Sequence, residues 1–383
     1  MILLLAAACG IIVANVYYTQ PLAGPIGQAL GLSVGGTGLI VTLTQIGYGL
    51  GLLFVVPLGD LVETRRLVLV ALAVSFAALM LAATATHAAV FLLASLIVGI
   101  SSTAVQVLVP YAAHLAPVYE RGKVVGQVMS GLLIGIMLSR PAASMVDDLW
   151  GWKAIFYVAA GFMALIGIAL AWSLPPRRPQ SGEPYLKLLA SMVRLYRNTP
   201  VLRRRAYYQA LLFGAFTLFW TTSPLLLAGP EFHFTQRGIA LFALAGVAGA
   251  FAAPLAGHLA DRGFSRTATG IAMGSVLCGF LLTRIPHTDP WLSIGLLTTG
   301  AILLDFGVSS SLVIGQRAIY TLGAEYRSRL NGLFMATFFA GGAVCSAVGA
   351  WAYERGGWGL ASLIGIALPL AGLAYFATEK AHS

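Results

Sequence analysis

The sequence predicts an all-α membrane protein with twelve spanning helices, from its composition, the spacing of its apolar runs and the placement of its charges. Of 383 residues, 58% are hydrophobic and 9% are charged, and the mean hydropathy is +0.86. Soluble domains carry about 25% charged residues, so a soluble protein is excluded. A helix needs about 20 apolar residues to cross the bilayer core, and twelve such helices leave room only for short loops.

Twelve apolar runs are separated by charged residues, and we number the predicted helices span 1 to span 12. They start near Ile2, Val34, Leu67, Val90, Val124, Lys153, Ala206, Gly238, Thr267, Trp291, Leu330 and Gly357. A polar segment divides the chain into a first half, 1–174, a linker, 175–205, and a second half, 206–383. The linker carries eight basic residues around the amphipathic stretch Tyr185–Tyr196, which predicts a segment lying on the membrane surface.

The positions of the 23 lysines and arginines predict the orientation. If the N-terminus is cytoplasmic, the loops on the opposite side hold only Lys153, Arg237, Arg284 and Arg355. Cytoplasmic loops are enriched in Lys and Arg, so both termini are predicted to be cytoplasmic. Contact with anionic lipid then explains the net charge of +10, and we expect no nucleic-acid partner.

The two halves are similar in sequence, which indicates an internal duplication. An offset of 206 residues superposes Arg121 on Arg327, Lys123 on Arg329, Gly126 on Gly332, Met129 on Met335, Gly135 on Gly341 and Trp152 on Trp358. Because each half has an even number of spans, both have the same orientation in the membrane, as in a parallel repeat.

Two loop segments, Asp60–Arg66 and Gly257–Gly263, resemble the cytoplasmic loop signature of the major facilitator superfamily. With twelve spans and duplicated halves, the resemblance covers essentially the whole chain. It implies two pseudo-symmetric six-helix bundles that work by alternating access, as a monomer. Four shorter segments resemble the bacterial branch of drug-efflux and sugar-efflux carriers, which implies the bacterial inner membrane: Asn15–Pro21, Leu138–Pro141, Leu304–Gly307 and Arg327–Asn331.

The match departs from the family pattern in the first-half loop and in spans 4 and 5. Span 4 has no charged residue from Ser95 to Gln106, where proton antiporters often carry an arginine. Leu61 replaces the arginine that follows the loop aspartate, and Glu63 replaces the loop glycine. Arg140 stands in span 5 where the antiporter signature has a glycine.

The resemblance implies that spans 1, 4, 7 and 10 line a central cavity, whereas spans 3, 6, 9 and 12 face lipid. The sequence agrees, because the apolar centres of the latter four spans contain no Asp, Glu, Lys, Arg, Asn or Gln. Polar side chains within spans mark solute or ion pathways. The cavity candidates are Asn15, Tyr18, Gln45, Gln106, Arg140, Thr217, Trp220, Asp305 and Phe338.

Asp305 and Arg140 are the charged residues deep inside spans. An unpaired carboxylate there costs about 3 kcal/mol and tends to take up a proton, so Asp305 is the proton-site candidate; alternatively, hydrogen bonds to a neighbouring helix hold it. Arg140 either offers a charge to an anionic or polyhydroxyl solute, or extends outward or bonds backbone carbonyls near Pro141. Helix rise places Arg140 roughly 10 Å and Asp305 roughly 20 Å below the outer surface.

A gate is predicted at the cytoplasmic helix corners, where a carboxylate can accept hydrogen bonds from helix N-termini and pair with arginine. Asp60 is expected to meet residues of the second half, and Asp261 residues of the first. The gate residues are Asp60, Arg65, Arg66, Glu120, Arg121, Asp261, Arg262, Arg327, Arg329 and Asn331. The alternative is a charge cluster that only sets topology.

The function predicted from the sequence is secondary transport of a small drug-like amphipath or sugar, by proton-coupled export. The alternative is proton-coupled or uncoupled uptake of an organic metabolite. No phosphate-binding Gly-x4-Gly-Lys loop or paired histidine motif is present, so an ATP-driven pump and a metalloenzyme are disfavoured. The duplicated halves argue against a channel. We expect a small-molecule substrate, protons and the lipid bilayer as partners, with no cofactor or metal.

Overall fold

The computed structural model describes residues 1–117, 120–177, 184–251, 264–286, 289–323 and 326–379, with the side chains of 248–251 excepted. Ten stretches of the described chain are long and apolar enough to cross a membrane. One of them contains spans 11 and 12, and the shorter apolar helix Gln236–Val247 lies in the predicted span 8, so the described helices are consistent with the twelve predicted spans.

The helices have the following bounds. Span 1 comprises Ile2–Ala14 and Thr19–Leu30, span 2 Val34–Phe54 with a 3-10 turn at Val56–Asp60, span 3 Thr64–Thr84, span 4 Ala88–Ser102 and Ala104–Leu115, span 5 Arg121–Trp150 and span 6 Trp152–Ser173. A linker helix, Tyr185–Asn198, precedes span 7 at Pro200–Ala228. Span 8 begins as Gln236–Ala243 and continues as a 3-10 helix, Leu244–Phe251; span 9 is Ser265–Leu282, span 10 Pro290–Tyr320, and spans 11 and 12 share Arg327–Ala377.

Local signals explain several helix boundaries. Ser33 and Thr235 accept backbone hydrogen bonds at the starts of spans 2 and 8, which satisfies otherwise unpaired N–H groups. Spans 11 and 12 separate at Gly356 and Gly357, where a φ of 57° at Gly357 suits glycine. The largest difference from the predicted starts is in span 7, which begins at Pro200, six residues before Ala206.

Spans 3, 6, 9 and 12 present apolar side chains outward, as expected for lipid-facing helices. Trp172 and Leu165 of span 6 are 86% and 64% exposed, whereas most of span 7 is buried. Span 7 packs on span 11, and span 2 of the first half packs on span 11 of the second. The two halves therefore meet along a buried seam.

We call the end of the bundle that carries the linker helix the linker end, and the opposite end the far end. At the far end the halves are joined by an ion pair between Arg237 Nε and Asp148 Oδ2 at 3.4 Å. Farther in, Thr42 and Ser346 hydrogen bond at 2.6 Å between spans 2 and 11. The far end is thus closed.

The linker helix packs on protein rather than lying free on a membrane surface. Leu188 and Met192 are buried among Leu202, Leu330 and neighbouring apolar side chains of the second half. The Tyr185 hydroxyl donates to the Phe54 carbonyl of the first half at 2.7 Å. The apolar stripe of the linker helix therefore covers the cytoplasm-predicted ends of spans 7, 10 and 11, a contact that the sequence did not predict.

Candidate solute site

Arg140 lies at the centre of the bundle, with 2% of its surface exposed. Its Nε donates to Gln20 Oε1 of span 1 at 2.8 Å. The guanidinium carbon is 4.4 Å from the Trp220 ring centre, 4.8 Å from that of Phe216 and 5.6 Å from that of Tyr17. Cation–π attraction strengthens when the cation is desolvated, so these rings stabilise Arg140 where it is buried. It neither extends outward nor depends on carbonyls near Pro141.

Asp305 of span 10 reaches the same place from the second half. Trp220 Nε1 donates to Asp305 Oδ2 at 3.0 Å. A Cβ atom placed on Gly246 of span 8 would be 3.0 Å from Arg140 Nη1 and 3.6 Å from Asp305 Oδ1. The two charged groups therefore both lie next to one glycine, and each influences the other electrostatically.

The two charged residues are closer together than the expected depths of roughly 10 and 20 Å imply. The prediction counted Arg140 from Asp147, but the helix of span 5 continues to Trp150, which places Arg140 deeper. This helix end reduces the difference in depth predicted from the sequence, and the long Arg140 side chain spans part of the remainder.

Two buried donors in this cluster have no hydrogen-bond partner among the described residues. They are Arg140 Nη2 and Gln20 Nε2. Unpaired buried donors are costly and uncommon in proteins. The cluster can therefore accept further oxygen atoms from a bound molecule.

An aromatic wall continues from this cluster toward the seam between the halves. Phe213 of span 7 stacks on Phe338 of span 11 with ring centres 3.7 Å apart, and Phe216 lies 5.2 Å from Phe213. Tyr48 of span 2 packs on Phe339 at 4.3 Å. The wall combines both halves, as a site used in alternating access requires.

The other cavity candidates are buried or partly buried, but they are not all directed at Arg140. The Asn15 amide points toward Met163 Sδ of span 6, and Gln106 donates to the Tyr48 hydroxyl at 3.1 Å. The Thr217 hydroxyl donates to Phe213 of its own helix, so its hydrogen is already used. Gln45 faces Gly342 across the seam, and Tyr18 is buried in span 1.

Sequence reasoning missed Gln20, Tyr17, Phe216 and Gly246. Gln20 and Tyr17 fall inside the quoted segment Asn15–Pro21, and their spacing of three residues places them on one face of a helix. That signal was available for span 1. Nothing in the sequence pointed to Gly246, because its role depends on the approach of span 8.

The predicted gate residues separate into two groups. Asp60 lies within electrostatic range of Arg329 from the other half and of Arg177. Arg329 also donates to Ser191 of the linker helix at 3.1 Å. By contrast, Arg65 donates to Ala171 within its own half, and Arg327 donates to Tyr320 within its own half.

The remaining gate candidates do not bridge the halves over the described residues. Asn331 accepts from Gln316 at 3.0 Å, and Arg66, Glu120 and Arg121 are not buried. Asp261 and Arg262 lie outside the described residues. Within the described chain there is also no group of three or more His, Cys, Asp or Glu side chains suited to a metal ion.

Comparison with known proteins gives concordant matches. The model of the Major Facilitator Superfamily matches residues 3–320. An uncharacterized transporter, YgaY, of Escherichia coli O157:H7 is 38% identical over 373 residues, covering 97% of this chain and 94% of that protein. A "probable transporter", SCO4007, of Streptomyces coelicolor is 32% identical over 361 residues, covering 93% and 82%. A crystal structure of a variant of the nucleoside transporter NupG has a TM-score of 0.75 at 15% identity, covering 98% and 99%.

Proposed function

Because the chain belongs to the major facilitator superfamily, it is a membrane transport protein rather than an enzyme, and we propose that it moves a small organic solute through the Arg140–Asp305 site with proton coupling at Asp305. The solute crosses by alternating access, as the two halves, 1–174 and 206–383, rock about the site. The chain contains both halves and acts as a monomer.

The observation that supports proton coupling is the burial of Asp305. Among the described residues it is the one carboxylate in the buried set, with 6% of its surface exposed. It contacts Trp220 of its own half and faces Arg140 of the other half. A proton that binds or leaves here changes the charge at the seam that must open and close.

The orientation follows from the basic loops. The linker end is the cytoplasmic side of a bacterial inner membrane, and the closed far end faces outward. The proposed gate pair, Asp60 and Arg329, lies at the linker end, and the linker helix adds a contact to Arg329.

The direction of transport depends on how solute and proton share the site. Export by exchange, the direction predicted from the sequence, requires that solute and proton occupy Asp305 in turn. Uptake, the alternative, requires that they bind together. Both use Asp305 as the proton site.

Proton flux in proteoliposomes tests the proposal. The vesicles contain a pH-sensitive dye and receive glucose, benzoate or tetraphenylphosphonium, representing neutral, anionic and cationic solutes; protein-free vesicles give the passive background. We expect one solute class to cause proton movement with the wild type. Asp305→Asn abolishes that movement because an amide does not titrate.

The matched control is Asp289→Asn on the same span. Asp289 caps the far end of span 10 by accepting from the Trp291 N–H, and asparagine caps equally well. Asp289→Asn is expected to retain wild-type flux. Undiminished proton movement in Asp305→Asn would contradict the assignment of the proton site.

A further inference from the structure

We infer that the central site takes an organic anion, whose oxygens bind Arg140 and Gln20 and whose apolar body contacts the aromatic wall, and that this anion enters together with a proton on Asp305. The inference rests on the proposed function and adds the class of solute and the sense of coupling.

The unpaired donors indicate the head group. Gln20 Oε1 already accepts from Arg140 Nε, so the amide nitrogen of Gln20 is the atom left to donate. Arg140 Nη2 is the second unpaired donor, on the same pair of residues. Two donors, one of them cationic, match the two oxygens of a carboxylate, since guanidinium and carboxylate form strong charge-assisted pairs. An organic cation would instead meet the positive charge of Arg140.

The rings indicate the body of the molecule. Trp220, Phe216 and Tyr17 surround the guanidinium, and the stacked pair Phe213 and Phe338 continues the apolar surface. Binding pockets for small molecules combine an apolar lining with a few polar groups that fix orientation. A small aromatic acid fits this arrangement better than a sugar, which would leave most of its hydroxyls facing rings.

Charge balance indicates the proton. Without solute, Asp305 offsets the charge of Arg140 beside Gly246. An anion bound to Arg140 neutralises the guanidinium, which then no longer offsets the charge of Asp305. A buried carboxylate without such a cation takes up a proton. The proton comes from water, and Asp305 becomes a neutral carboxylic acid.

The other titratable groups near this pair are few in the described chain. Tyr17 of span 1 acts on both Arg140 and Asp305. The cysteines of the described chain lie elsewhere in the spans: Cys9 is buried in span 1, Cys345 of span 11 lies against Gly214, and Cys278 of span 9 is exposed. Asp305 is therefore the group that compensates for a bound anion. Because anion and proton bind together, the arrangement supports cotransport and hence uptake down a proton gradient, rather than exchange.

Binding to the purified full-length protein in detergent tests the inference. The probes are benzoate, neutral benzamide and cationic benzylamine. The binding of each is measured by thermal stabilisation of the protein and by proton uptake from a weakly buffered solution. We expect benzoate to stabilise the protein and to cause proton uptake, with benzamide and benzylamine at least about tenfold weaker.

Two variants separate the head-group contact from the proton site. Arg140→Gln is expected to weaken benzoate binding by about tenfold or more, since a buried charge pair is lost, whereas Arg194→Gln on the exposed face of the linker helix leaves it unchanged. Asp305→Asn should bind benzoate without proton uptake, and it reports on the mechanism even if Arg140→Gln does not fold.

Preferential binding of benzylamine, equal binding of benzamide, or proton release on benzoate binding would each overturn the inference. Benzoate binding with proton uptake in a protein that moves no solute across vesicles would instead sustain the inference and refute the proposed function.

Discussion

At the residue scale, Gly246 is the position where the two charges of the site approach one backbone. A glycine is required here because a larger side chain has no room, and not because of its backbone conformation. A Cβ atom would be 3.0 Å from Arg140 Nη1 and 3.2 Å from the Trp220 ring. These contacts are tighter than ordinary packing allows. Gly246 therefore permits the arrangement of Arg140, Trp220 and Asp305.

Gly246→Ala is expected to displace the Arg140 side chain and to reduce transport by about tenfold or more, since small displacements in a site have large effects on rate. The thermal midpoint should change little, because the flexible arginine can move. Gly274→Ala on span 9, where a Cβ meets open space, is the control. Transport by Gly246→Ala at the Gly274→Ala rate would show that this close approach is unimportant.

At the residue scale, the sequence indicated which charged residues to consider for a site but not how they are arranged. Arg140 and Asp305 were identified because charges within apolar spans are rare and can be counted. Their proximity depends on where span 5 ends and on how spans 5, 8 and 10 approach one another. The end of span 5 and the distances between these spans cannot be predicted from residue spacing alone.

At the element scale, close helix contacts depend on glycines. Gly47 and Gly51 of span 2 lie against the backbone of span 4, whereas Gly49 faces span 11 more loosely. Gly99 of span 4 completes this contact, since a Cβ atom there would clash with the Thr44 carbonyl oxygen and lie 2.8 Å from the Tyr48 nitrogen. Small residues allow helices in membranes to approach closely.

Gly99→Ala is expected to destabilise the protein by about 1–3 kcal/mol, because backbone atoms cannot yield as a side chain can. The measurement is thermal unfolding in detergent. Gly167→Ala on the lipid-facing side of span 6 meets nothing within 4 Å and should be neutral or slightly stabilising. Equal unfolding temperatures for the two variants would argue against close packing of spans 2 and 4.

The interruptions of spans 1 and 4 were not predicted. Span 1 leaves the helix at residues 15–18, and span 4 is broken at Thr103. Pro21 follows the first break and has no N–H to donate to the Tyr17 carbonyl, which favours an interruption there. The break at Thr103 contains neither glycine nor proline, the usual sequence signals. The linker helix was predicted from its amphipathic pattern, but that pattern does not distinguish a lipid surface from a protein surface.

At the scale of the whole molecule, the fold was predictable because apolar length, basic loops and the internal repeat are long-range patterns that survive local uncertainty. The conformational state was not, since the same sequence must adopt at least two. The far end is closed here by Arg237 with Asp148 and by Thr42 with Ser346.

A disulfide across the seam tests whether this closure must be released during transport. Thr42 and Ser346 have hydroxyl oxygens 2.6 Å apart, so Thr42→Cys with Ser346→Cys is expected to cross-link under oxidation. The natural Cys9, Cys278 and Cys345 are first replaced by alanine. Oxidation should stop transport and reduction should restore it, while the single cysteine variants remain active. Full transport by the cross-linked protein would show that spans 2 and 11 need not separate.

The central claim is that Asp305 couples solute movement to protons. The most direct test measures, in the Asp305→Asn variant, both the exchange of solute without a gradient and the accumulation of solute driven by a proton gradient. The solute is the one that moves protons with the wild type. Asp305→Asn should exchange it across vesicles at near the wild-type rate without a gradient, because the path is intact, yet fail to accumulate it when a proton gradient is imposed. Gradient-driven accumulation by Asp305→Asn at the wild-type level would contradict the claim.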